Sequence, residues 1–340
     1  MAIPSVGYTP GWRVPYNTYP AQAGVFLPGR EPSLTDVPGI PPFEPVRLLT
    51  ETRLDPLITS AILLAAGLYF WGVRRLAERG VGWPRGRQIA WYVGGLGTLA
   101  LATTSGLAAY DTVLFSAHMV QHMLLAMVAP IFLALGAPVT LALRALPSGG
   151  RSVLVTVLHS RVATFVTFPA VGWLLFVASP FALYFTGWYP ATLDSELLHE
   201  LLHTHFVLVG CIFFWPLIGV DPVPGRVPHP MRVLLLVTTL PIHVILGLTI
   251  MSERTVIAAD HYNSLGLPWI DPLLDQQVGG GLLWASGDLI GLLMLGAAAV
   301  QWKRASEREA VREDRRLDRL EQQAALQATR RATDTGGTPR

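Results

Sequence analysis

The sequence predicts an all-α fold: a polytopic membrane protein built as a bundle of seven transmembrane helices. Three observations carry that expectation. Only 14% of the 340 residues are charged and 51% are hydrophobic, where a soluble domain carries about 25% charged residues. Mean hydropathy is +0.43. Finally, seven apolar segments of about 20 residues follow one another, the length that spans a bilayer at about 1.5 Å per residue. The single cysteine, Cys211, excludes an internal disulfide and a thiolate-rich zinc site within one chain. Nothing in the charge pattern points to nucleic acid.

In chain order, residues 1–54 are rich in Pro, Gly and Tyr (T-P-G-W, V-P-Y, P-G-I-P-P-F-E-P) and read as an irregular tail. They lack a basic region followed by an apolar core, so no cleavable signal is expected. The seven spans are expected at 55–77, 88–109, 112–135, 162–185, 195–218, 231–251 and 278–302, within a transmembrane domain of 55–302. Arginines mark alternate loops: Arg74, Arg75, Arg79, Arg85 and Arg87 in the first, Arg144, Arg151 and Arg161 in the third, Arg226 and Arg232 in the fifth. Lys303 and Arg304 open the C-terminal tail. The other loops carry Asp111, then Asp194 and Glu196, then Glu253, Asp260, Asp271 and Asp275, with Arg254 as their one basic residue. The positive-inside rule therefore puts the N-terminus outside and the C-terminus in the cytoplasm. Within the third loop, 139–146 reads as an interfacial helix. The tail, 303–340, is charged and partly helical, suited to a membrane surface with anionic lipid, and frays into T-D-T-G-G-T-P-R.

The histidines follow this topology. His118 and His122 lie four apart in A-H-M-V-Q-H-M, on one face of the third helix. His199, His203 and His205 lie in H-E-L-L-H-T-H on the fifth, and His243 on the sixth. All six fall roughly 6 to 15 Å below the outer face at the rise of a helix. Ionisable groups at that depth are costly without a partner and mark function. A lone buried histidine such as His243 is more often a hydrogen-bonded core residue, and His205 projects from a different face than His199 and His203. The two i,i+4 pairs on facing helices are stronger: together they offer up to four imidazole nitrogens, which suit copper, zinc, iron or nickel. Met119, Met123 and Met127 form a stripe beside the first pair, and Met251 ends the sixth helix. Such stripes are more often packing, but thioethers favour Cu(I). The expected ligand set is His118, His122, His199 and His203, with His243, His205, Met119, Met123 and Met251 as further candidates. Asp288, deep in the last span, should have a partner or orient a ligand from behind.

Two other readings compete. H-E-L-L-H matches the zinc-peptidase pattern in which Glu200 is general base. That chemistry needs a third ligand from another helix, and Asp288 is the candidate. Bis-histidine haem binding needs opposed histidines about a haem apart, whereas these gather on one side of the membrane.

Several stretches then resemble a known family. A-H-M-V-Q-H-M-L-L-A-M-V-A-P (117–130), G-A-P-V-T-L (136–141), H-E-L-L-H (199–203), F-W-P-L-I-G-V-D-P (214–222) and D-Q-Q-V-G-G-G-L-L-W (275–284) occur in order across residues 50 to 302. They resemble the seven-helix bacterial cytochrome c oxidase assembly proteins of CtaG type. The cysteine pair of the single-span copper chaperone that shares the CtaG name is absent here. The sequence departs from the family's usual form in A-S-G-D after the last stretch, where a proline-containing turn is usual, and in its long N-terminal tail. The resemblance implies an inner-membrane, non-enzymatic assembly factor that supplies Cu(I) to the copper-containing subunit of a haem–copper oxidase, or exchanges it with other copper chaperones. Asp275, Gln276 and Gln277 would cap a helix or meet a protein substrate. The small-residue spacing of G-D-L-I-G (287–291) would allow a homodimer.

Overall fold

The computed structural model describes residues 40–53, 56–222, 224 and 227–335. The expected N-terminal tail lies largely outside them, as do residues 336–340. The described residues contain helices and no strand. Seven are long: α1 (Pro56–Glu78), α2 (85–104), α3 (115–135), α4 (Pro169–Tyr184), α5 (Glu196–Ile218), α6 (His229–Ser252) and α7 (Pro272–Thr335). The stretch Phe115–Ala145, α5, α6 and α7 each have the length and hydropathy to cross a membrane, and α4 joins Trp188–Asp194 through a bend of 70°. On α1, Leu63, Leu64, Leu68, Phe70 and Trp71 are exposed, as are Leu234, Val237, Ile245 and Leu248 on α6. Water would penalise such continuous apolar faces, whereas lipid is their solvent. This is an all-α polytopic membrane protein.

Several expected boundaries move for identifiable reasons. The second span ends at Thr104, because Ser105 caps a new helix, Gly106–Tyr110, by accepting from Leu107 N at 3.2 Å. The fourth begins at Pro169 and not at residue 162. A proline opens α4, and the residue before it is driven to extended backbone, so Arg161–Val166 stays a separate turn. Asp271 starts α7 early by accepting from Leu273 N and Leu274 N. Past residue 302 the Ala-, Arg-, Glu- and Gln-rich tail has no breaker, and good helix formers carry α7 on to Thr335. The helix expected within the third loop is present as Pro138–Ala145.

Helix α3 is the centre of the bundle. Met119, Leu125 and Ala129 are fully buried, and α3 packs on α2, α5 and α7. It is wound as a π-helix over Leu124–Val128. Pro130 has no N–H to return to the Ala126 carbonyl, so the ladder opens there. The freed carbonyl faces α5 at Gly210, where a Cβ would overlap it and stand 2.6 Å from Pro130. Gly210→Ala must therefore push α5 away from α3. We expect a loss of about 1–3 kcal/mol in stability, read as a lower unfolding midpoint in detergent.

Two stretches used above interlock at the arginine-rich end. The Asp221 carboxylate accepts from Val139 N, Thr140 N and Thr140 Oγ1, capping Pro138–Ala145, and also from Trp215 Nε1 at 3.2 Å. The third, D-Q-Q-V-G-G-G-L-L-W, works at the opposite end. Asp275 accepts from the backbone and hydroxyl of Ser116 at the start of α3. Gln276 stitches the α6–α7 loop by accepting from Ile257 N at 2.7 Å and donating to Ile250 O and Thr255 O. Gly279 lets Phe115 and Met119 approach α7 closely.

Candidate metal centre

Two helix starts and the turn that leads into one of them meet at one place. The turn between Gly106–Tyr110 and α3 is closed by Leu114 N donating to Tyr110 O at 2.8 Å, and it turns Asp111 inward until only 1% of it is exposed. Ser195 caps α5, accepting from Leu198 N, which sets His199 and His203 one above the other facing Asp111. The first turns of α3 bring His118 and His122 against α5.

The contacts are short. His199 Nε2 donates to Asp111 Oδ2 at 2.8 Å, and His203 Nε2 lies 3.5 Å from the same oxygen. His203 Nε2 also donates to Gln121 Oε1 at 2.9 Å, while Gln121 Nε2 is tied to Ala102 O. On the other side of the ring, His203 Nδ1 faces Glu200 Oε2 at 3.6 Å. The Tyr184 hydroxyl sits between the other pair, 3.2 Å from His118 Nε2 and 2.8 Å from His122 Nδ1. The His118 and His199 rings are 6.2 Å apart. Tyr189 covers His118 at 4.9 Å between centroids and shares a 2.6 Å hydrogen bond with Tyr262. These buried tyrosines close the site toward the α6–α7 loop.

One ligand atom each from Asp111, His199 and His203 falls within 4.8 Å of the others, and all three residues are buried. Asp111 lies in a turn outside the spanning helices. Burial alone would raise its carboxyl, but the two imidazoles override that and hold it well below the ordinary range. Asp111 Oδ1, His118 Nδ1, His199 Nδ1 and His203 Nδ1 are buried with no hydrogen-bond partner among the described residues. Each orphan costs about 1–3 kcal/mol, and a buried carboxylate beside imidazoles with nitrogen left unpaired is a donor set that fits a metal.

The structure therefore brings together His118, His122, His199 and His203 from the expected set and adds Asp111, with Glu200 and Tyr184 against the rings. The remaining candidates lie elsewhere. His205 is on the exposed face of α5, since two residues turn a helix by about 200°. Met119 packs on Gly279, and Met251 on Gly280 and Gly281. Met123 and His243 border a cavity of about 10 Å³ next to His122. The acid expected to find a partner in the last span, Asp288, keeps Oδ1 without one among the described residues and stays outside the cluster. Phe206 stacks on His122 at 4.0 Å, filling space that a haem plane between the pairs would need.

A family model described as cytochrome c oxidase caa3 assembly factor (Caa3_CtaG) matches residues 67–305. Uncharacterized proteins of Mycobacterium bovis and Mycobacterium tuberculosis are each 42% identical over 281 residues, covering 80% of this chain and 42% of their own. One from Mycobacterium leprae is 40% identical over 282 residues, with the same coverage. The chain thus spans about two fifths of the length of the curated relatives it matches. No solved structure matches it.

Proposed function

This chain belongs to the cytochrome c oxidase caa3 assembly factor family, and we propose that it serves oxidase assembly by holding Cu(I) inside the bundle and releasing it to the copper-containing oxidase subunit. The observation that carries the reading is the convergence of Asp111, His199 and His203 within 4.8 Å. Here copper is cargo, and no covalent reaction is required. His199 and His203 would supply imidazole nitrogen, with His118 the nearest further donor. Asp111 supplies negative charge at the imidazole nitrogens themselves, without which a cation in a low-dielectric site is costly. The Tyr184 hydroxyl and the Glu200 carboxylate orient the rings from behind, as outer-shell partners of metal-bound histidines do. Because the expected topology puts this end outside, delivery would take place at the outer face of a bacterial inner membrane, with another copper chaperone as the alternative exchange partner.

The test is made in cells lacking the chain. Wild type should restore the copper content and activity of the terminal oxidase. His203→Ala, accumulated to the same level in the membrane, should restore under a tenth of either. Full restoration by His203→Ala would overturn the reading.

A second reading is favoured by one observation. The H-E-L-L-H histidines of a zinc peptidase need a third ligand from another element, and Asp111 stands in that position where sequence had offered Asp288. Zn(II) with Asp111 and Glu200 is also charge-balanced. Glu200 separates the two readings, as argued in the Discussion.

A further inference from the structure

We propose that the cavity between His122 and His243 is a second, softer metal station, which takes Cu(I) or another monovalent soft cation one helical turn beyond His118. It rests on the copper reading of the Asp111 site, and its test is separable from that reading.

The cavity holds about 10 Å³, and its lining includes His122, Met123, Met127 and His243 together with Ser179 and apolar side chains. That volume is about one small sphere, enough for an ion and too little for an organic ligand. Both imidazoles have one nitrogen fixed. His122 Nδ1 is bonded to the Tyr184 hydroxyl at 2.8 Å, and His243 Nδ1 to Thr239 O at 3.3 Å. A ring held at one nitrogen presents the other as ligand. In each case that other nitrogen, Nε2, has no hydrogen bond among the described residues, and both rings line the cavity. His243 is also braced from α7, where a Cβ at Gly287 would stand 2.9 Å from its ring. Met123 and Met127 lie four apart across the π-helical turn of α3 and add two thioethers.

The donors decide which ion. Two imidazoles and two thioethers form a soft neutral set, the kind that selects Cu(I). No acid borders the cavity, and the cost of burying a cation grows with the square of its charge. A divalent ion is therefore disfavoured here, while Asp111 makes it acceptable at the upper site. The Tyr184 hydroxyl touches both His118 and His122, so the two stations share a wall. A monovalent ion would pass from one to the other by exchanging imidazole and thioether ligands with no change of oxidation state.

The experiment uses the full chain in detergent, loaded separately with Ag(I) and Zn(II), passed over a weak chelator, and analysed for metal per chain. Wild type should retain two Ag(I), one at each station, and one Zn(II), at Asp111. Met123→Leu with Met127→Leu conserves volume and so keeps the fold. It should lose one of the two Ag(I) with Zn(II) retained, and His243→Leu should do the same. Asp111→Asn should lose Zn(II) and one Ag(I) and keep the other. Retention of both Ag(I) by the double leucine and His243→Leu variants would overturn the proposal, as would loss of both Ag(I) in Asp111→Asn alone. A single Ag(I) in wild type, lost in the leucine variants and kept in Asp111→Asn, would overturn the upper site and leave the deeper one standing.

Discussion

Asp111→Asn is expected to weaken Cu(I) binding at the upper site by a hundredfold or more while the protein still folds. The asymmetry follows from what the substitution removes. Asparagine keeps an oxygen where Asp111 Oδ2 accepts from His199 at 2.8 Å, so the turn before α3 and the start of α5 stay joined. What disappears is the charge that balances the ion. Stripping one member from a buried charged pair costs about 3–5 kcal/mol, and about 1.4 kcal/mol is a factor of ten in affinity. Competition against a chromophoric Cu(I) chelator under reducing conditions measures this directly. A change of less than threefold would mean that Asp111 has only a structural role.

Glu200→Gln is expected to divide the two readings by at least two orders of magnitude. In a peptidase Glu200 is the general base, and general acid–base catalysis is worth about 10²–10⁴, so hydrolysis should fall by that factor. In a carrier Glu200 only faces His203 Nδ1, at 3.6 Å. Glutamine can accept from the same ring nitrogen, so Cu(I) affinity should change by no more than about tenfold, the mild end of such outer-shell effects. The readouts are the chelator competition and the oxidase copper content restored in cells. An oxidase-assembly defect in Glu200→Gln as deep as in His203→Ala, with copper binding intact, would favour the hydrolytic reading.

The two histidine pairs were legible because helical spacing and span depth are both periodic features of the chain. His118 with His122 and His199 with His203 needed only 3.6 residues per turn and the order of the spans to share a layer. Asp111 was not legible as a ligand. It stands in a loop, and loop acids are ordinarily solvated; only the short helix Gly106–Tyr110 and the turn after it bury this one. A signal was nonetheless present, since Asp111 is the sole acid between the second and third spans and lies seven residues before His118, two turns along a helix. Tyr184 was hidden because a lone tyrosine in an apolar span carries no periodic signal, and only the packed fold sets its hydroxyl between His118 and His122. His205 and Met251 show the converse limit. They share a depth with the cluster, but a helix has a full circle of directions at each depth, and these two point away from it.

The measurement that bears most directly on the central claim is the copper content of detergent-purified full chain, after anaerobic loading and desalting, beside His199→Ala/His203→Ala treated identically. The account predicts at least one Cu(I) per wild-type chain, with the ion at Asp111 absent from the double variant. No retained copper in the wild type, or equal copper in both proteins, would contradict it.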